Sequence, residues 1–183
     1  VLAGIASVVL LWSLYGSTTR LYQSMALQGT ALQNRMLSEL RAYYASEVVS
    51  RAKSHGMEIT HDFAGRTDAI PLPATLTLEL GRRLAESRPG ADVRLYSEFP
   101  FPWRKEGGPR DEFERDAIQF LKQHPDQPFY RFEEHGGRPT LRYATADRMK
   151  ASCVACHNTH PDSPKRGWKE GDVRGVLEVI RPL

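Results

Sequence analysis

Apolar residues fill nearly all of positions 1–15, and no Asp, Glu, Lys or Arg occurs before Arg20. A helix over residues 1–19, at ~1.5 Å per residue, reaches roughly 28 Å, close to the hydrocarbon thickness of a bilayer. Trp12 and Tyr15 suit the aromatic belt at one interface. A cleaved signal peptide and a buried core helix are the competing readings. No small-x-small cleavage pattern stands out near Gly16-Ser17, and the pattern predicts a transmembrane helix over 1–19. The chain begins at Val1 without Met and reads as a fragment or a processed form.

Residues 20–53 contain no Pro and one Gly, Gly29. Leu21, Met25, Leu32, Met36, Leu40, Tyr44 and Val48 recur at threes, fours and sevens, the mark of a long amphipathic helix. Residues 20–36 are expected as a juxtamembrane signalling helix that pairs with a second copy. Residues 37–52 are expected to pack on the domain that follows.

Beyond 55 the pattern breaks into shorter pieces. A loop is expected over 55–68, with a short strand near 57–59. A helix over 75–87 would turn Leu76, Leu80 and Leu84 inward, and Pro89-Gly90 ends it. Residues 93–98 alternate as a strand, and 111–123 form a helix with Phe113, Ala117, Phe120 and Leu121 inward. Residues 129–134 and 140–146 flank Gly136-Gly137 as a hairpin. A loop over 149–171 and a last strand over 173–180, stopped by Pro182, complete the order. A few antiparallel strands flanked by helices make an α+β domain over 37–183.

The net charge of +3 is modest and its basic residues are dispersed, so a nucleic-acid partner is not expected. No nucleophile–base pair, phosphate-binding Gly loop or paired-carboxylate signature occurs, and no enzyme activity is expected.

Both cysteines of the chain lie in Cys153-Val154-Ala155-Cys156-His157. Cys-x-x-Cys-His is the attachment pattern of a c-type haem. Two thiols two residues apart reach two vinyl groups of one porphyrin, and the adjoining imidazole falls to the iron. A thioredoxin-like pair is expected beside a βαβ unit, opening a helix, whereas this segment is rich in Pro, Asn and Asp. A zinc site needs further Cys or His ligands. The motif therefore predicts one covalent haem c per chain, held by Cys153 and Cys156, with His157 as the near-side iron ligand.

The far-side ligand is not given by the motif. His160 is too close to His157 to reach the opposite face and reads as a hydrogen-bonding residue of the loop. Met149 has the same difficulty, His124 reads as a helix cap, and His135 as a turn residue. His61 is the leading candidate, with Met57, His55 and an open iron site as alternatives. Arg104, Arg142, Lys165 and Arg174 are candidates for pairing with haem propionates, since guanidinium groups grip carboxylates in a fork. Each is otherwise a solvated surface charge. Trp103, Trp168, Tyr96 and Tyr143 wall the haem or fill the core.

Several blocks extend the match beyond the motif: 40–44 (Leu-Arg-Ala-Tyr-Tyr), 70–75, 95–104 with Phe99-Pro100-Phe101-Pro102-Trp103-Arg104, 113–115, and 153–165 continuing through 171–176. On these the chain resembles a family of periplasmic, single-haem c-type sensor domains with a PAS-like fold. The resemblance covers roughly 37–180. It implies an antiparallel sheet flanked by helices, standing outside the membrane and joined to it by the N-terminal helix. It also implies a role in detecting redox state or a diatomic gas, with the change passed through that helix to a signalling partner. A membrane-anchored single-haem electron carrier is the alternative.

Overall fold

The computed structural model describes residues 2–87 and 89–183, with side chains from Leu10 onward apart from Arg88. A helical rod leads the chain: α1 (Leu2–Tyr43), a six-residue π-helical segment (Tyr44–Val49) and α2 (Ser50–Ser54). The rod ends in a Schellman turn. Gly56 takes φ +80°, and the amides of Gly56 and Met57 donate to the carbonyls of Lys53 and Ala52. The expected helix over 20–53 is present, but a π-helical stretch interrupts it.

The membrane span expected over 1–19 falls in part on residues 1–9, whose side chains lie outside the described residues. Among the described residues no helix is long and apolar enough to cross a membrane.

After the rod come β1 (Glu58–Thr60), β2 (Ala69–Pro71), α3 (Pro73–Ser87), β3 (Asp92–Tyr96) and α4 (Glu112–Gln123). Then follow β4 (Phe129–His135), β5 (Arg138–Arg148), α5 (Ala151–Thr159) and β6 (Val173–Pro182). Strands β1 and β2 pair in parallel as a small separate ribbon. The main sheet has the order β3-β6-β5-β4 and is antiparallel throughout. Gly136 and Gly137, at φ +60° and +75°, turn the β4–β5 hairpin as its sequence predicts. Pro182 does not end pairing, since it lies opposite Thr140 on β5.

Helices cover both faces of this sheet. The Asp111 carboxylate caps α4 by accepting from the Glu114 amide. Phe113, Ala117, Ile118 and Leu121 of α4 then pack on Tyr96, Ala144 and Val176. On the other face Leu37 of α1, with Ala74 and Leu78 of α3, covers Val93, Leu95, Leu177 and Val179. Alternation along β6 sends Val176 one way and Leu177 and Val179 the other. The architecture is α+β, with the sheet between α1/α3 and α4.

Two inward faces differ from expectation. On α3 the buried positions are Thr77 and Gly81, while Leu84 is exposed. The backbone of α3 comes so close to β3 at Gly81 that a Cβ there would stand 2.6 Å from Val93 Cβ. On α1, Met25, Leu32, Met36 and Leu40 face outward. The face on the sheet is Ala26, Thr30, Asn34 and Leu37, engaged from Ala26 onward rather than from 37. Asn34 makes this possible: its amide donates to the Leu177 carbonyl at 3.0 Å, and its oxygen accepts from Thr145 Oγ1 at 2.7 Å.

Candidate haem site

The Cys-x-x-Cys-His stretch lies on α5, not in the loop expected over 149–171. Nine residues without Gly or Pro form the helix, and Pro161 follows it. On a helix, positions three and four apart share a face, so Cys153, Cys156 and His157 point together. Both cysteines are free, and Cys156 is exposed.

His157 is the most constrained of the three. Burial, and then the neighbouring positive charge of Arg174, push its imidazole down to about 4, so it is neutral at physiological pH. Its Nδ1 accepts from Arg174 Nε at 3.2 Å. Its ring lies 5.3 Å from that of Phe101. Neutral imidazole is the iron-binding form. With Nδ1 accepting from Arg174, however, the ring proton sits on Nε2, so iron at Nε2 would require that proton on Nδ1 and release of the Arg174 contact.

Partial desolvation by the surrounding chain raises the Cys156 thiol above its ordinary range, although the residue as a whole stays exposed. Disulfide-exchange enzymes instead lower a thiol to make thiolate. The helical placement removes one argument against a redox pair, and this raised thiol supplies another, along with a main sheet that is antiparallel and holds no βαβ unit among the described residues. Among the described residues no three His, Cys, Asp or Glu side chains group to hold a bare metal ion.

Segment 160–172 is folded back on α5 by paired hydrogen bonds. Asn158 Nδ2 donates to the Trp168 carbonyl and Asn158 Oδ1 accepts from the Trp168 amide, each at 2.9 Å. Ser163 Oγ donates to the His157 carbonyl at 2.5 Å. His160 Nδ1 accepts from the Asp162 amide at 3.1 Å, the turn-shaping role read for it.

An aromatic wall stands beside the motif. The rings of Phe101 and Trp103 stack at 4.5 Å, and His160 meets both edge-on at 5.4 Å. His61, in the β1–β2 loop, stacks on Trp103 at 4.6 Å. This wall brings His61 and His157 into one cluster. The π-helical segment of the rod packs against α5.

A profile of the Tll0287-like family, described as Tll0287, matches residues 19–182. The chain belongs to the Tll0287-like family. Its fold is similar to that in a crystal structure of the cyanobacterial heme-protein Tll0287, with a TM-score of 0.58 over 86% of this chain and 95% of that one. The two are 19% identical, so the likeness is one of fold. No curated protein matches the chain.

Within this Tll0287-like domain the remaining candidates separate. Arg104, in the loop after β3, donates through Nη2 to the Leu95 carbonyl. Burial, then repulsion from Arg174, Arg94 and Arg41, lowers it to about 10. Lys165 Nζ sits 4.0 Å over the Trp168 ring and 4.8 Å over that of Phe99.

Arg142 must be moved out of the site. It is 2% exposed, and its guanidinium is engaged by Glu178 at 2.7 Å, Asp111 at 2.6 Å and Glu133 at 3.2 Å. It lies under α4 over the Phe113 ring, as part of the sheet's ion network.

Of the other far-side candidates, His55 Nδ1 is bonded to the Arg51 carbonyl at the end of α2, and Met57 is half-buried just beyond. His124 caps α4, and Met149 is buried. Ser97 and the Arg41–Asp147 pair are not readable from the sequence as site residues, because their roles depend on partners distant in sequence.

Proposed function

We propose that this domain carries one covalently attached haem c and serves as a sensor input, reading redox state or a diatomic gas and passing the change to the N-terminal rod. The donor set fits the group: two free thiols and a neutral imidazole on one face of α5, an aromatic wall, and cations alongside. Each thiol would add across one vinyl group, with sulfur to the carbon next to the ring and the proton to the terminal carbon. No atom is lost, and no external oxidant is needed. The bound iron would supply one-electron chemistry or coordination of a small ligand.

The chain's own residues do the rest. His157 is kept neutral, Phe101 and Trp103 exclude water, and Asn158 and Ser163 hold the covering segment. The observation that carries the sensor reading is the packing of α5 on the π-helical segment of the rod. π-Helical turns inside α-helices concentrate at functional sites. A movement of α5 thereby meets a locally irregular part of the long helix.

The same reading places the domain on the outer face of a membrane, tethered through residues 1–19, and pairs two copies along α1. The PAS-like comparison rests on the antiparallel sheet and its flanking helices. Intact-mass measurement of the mature chain checks the first step, with one haem expected. Spin labels on α1 then compare helix spacing in the oxidised, reduced and nitric oxide-treated protein. A changed spacing supports the sensor. Identical spacing in all three states, with reversible redox cycling, supports an electron carrier instead.

A further inference from the structure

We propose that Arg104 and Arg174, backed by Arg41, form the seat that binds the two carboxylates of the porphyrin. This rests on the haem reading above and assigns residues to one part of it.

The charge balance on this side of the sheet is uneven. The arginines elsewhere in the core are matched: Arg94 by Glu114 at 2.8 Å, and Arg142 by Glu178, Asp111 and Glu133. Beside α5 three guanidinium groups, Arg41, Arg104 and Arg174, influence one another, and Asp147 is the carboxylate among them. Asp147 is taken by Arg41. Among the described residues neither Arg104 nor Arg174 has a carboxylate within 4.0 Å. Three cations against one anion leave an excess of two positive charges, which equals the charge of two propionates.

Both arginines have free donors, and Arg174 is placed at the motif through His157. Arg174 uses Nε on His157 and Nη1 on Ser97, leaving Nη2. Arg104 uses Nη2 on Leu95, leaving Nε and Nη1. Arg174 is anchored at both ends, since Ser97 Oγ also donates to its carbonyl at 2.6 Å. Its guanidinium lies 5.9 Å from the Phe101 ring centre and 5.6 Å from that of Trp168. A planar, pre-positioned fork of this kind favours carboxylate over a neutral group. Burial and mutual repulsion both raise the cost of keeping these cations without an anion, so an arriving dicarboxylate is favoured twice.

The test uses the full chain produced without haem maturation, checked for folding by circular dichroism. It is titrated with mesoporphyrin IX and with its dimethyl ester, each followed by fluorescence quenching. We expect the diacid to bind at least about tenfold more tightly than the diester. Arg104→Gln and Arg174→Gln should each reduce that ratio, while Arg104→Lys retains most of it. An exposed control, Arg82→Gln, should leave it unchanged. Equal binding of diacid and diester overturns the carboxylate seat while leaving the porphyrin site standing. Binding of neither overturns the porphyrin reading and this assignment with it.

Should the haem-free chain not fold, the midpoint potential of the mature protein carries the test. Arg104→Gln should lower it by roughly tenfold in the reduction equilibrium, or about 59 mV for one electron, and Arg104→Lys should not. An unchanged potential in Arg104→Gln overturns the assignment.

Discussion

The imidazole of His61 lies flat on the indole of Trp103, with ring centroids 4.6 Å apart and planes 3° from parallel. This stack fixes the orientation of a histidine carried on an otherwise exposed loop. It also attaches that histidine to the wall that reaches His157 through Phe101. We expect His61 to supply the far-side iron ligand. The mature His61→Ala protein should then lose its six-coordinate absorption spectrum and bind carbon monoxide when reduced. Trp103→Ala should weaken the same ligation without abolishing it. Unchanged spectra in His61→Ala would transfer the role to Met57 or His55.

Asn158 closes the covering segment onto α5 with two hydrogen bonds to the Trp168 backbone. Replacing it by Ala leaves a half-buried amide and carbonyl without partners, at about 1–3 kcal/mol. Asn158→Ala should lower Tm by several degrees and speed proteolysis within residues 160–172. Limited digestion followed by mass spectrometry locates the cut. Asn158→Asp should fail to rescue, because a carboxylate accepts from the Trp168 amide but has no proton for its carbonyl.

How legible these features are in the sequence depends on whether their chemistry is local. Cys153, Cys156 and His157 declare themselves because attachment needs them adjacent. The α4 face and the β4–β5 hairpin are equally local, resting on Asp111 and on Gly136-Gly137. Arg142 and Arg174 are both strand arginines, and nothing near them in sequence separates them. Glu178 and Asp111 claim one, while the other points at His157. The stripe on α1 misleads for a related reason. Its sheet-facing side is small and polar at Thr30 and Asn34, satisfied by β5 and β6, so the apolar periodicity marks the outer side. The helical state of the motif was readable, since residues 151–159 contain no breaker and Pro161 stands just after them.

Glu178 is fully buried beside Arg142, and burial pushes its carboxyl up to about 7 against the opposing pull of that arginine. Between the ordinary value of 4.5 and about 7 the folded chain holds a proton that the unfolded chain has released. Stability from this group is therefore lost as pH rises through that window. The loss is on the order of 3 kcal/mol by pH 8. Chemical denaturation from pH 4 to pH 8 should show it as a declining slope in the native chain that Glu178→Gln removes. Parallel pH profiles for the two proteins would place the charge elsewhere in the Arg142 network.

The outer face of α1 carries Tyr22, Met25, Leu32, Met36 and Tyr43, all exposed, with Gly29 among them. Their spacing of three and four over three heptads is that of a coiled-coil seam, with Gly29 and Glu39 as its non-apolar positions. The sheet takes the opposite side of the helix through Ala26, Thr30 and Asn34, and the Arg181 guanidinium of β6 reaches round to Gly29. This leaves the exposed Tyr22, Met25, Leu32, Met36 and Tyr43 open to a second copy of α1. We expect the domain to be a dimer, and Leu32→Glu with Met36→Glu to make it a monomer. Neither residue is buried, so the circular dichroism spectrum should not change. Sedimentation velocity reads the outcome, and a native chain that stays monomeric at high micromolar concentration would remove the seam from the signalling path.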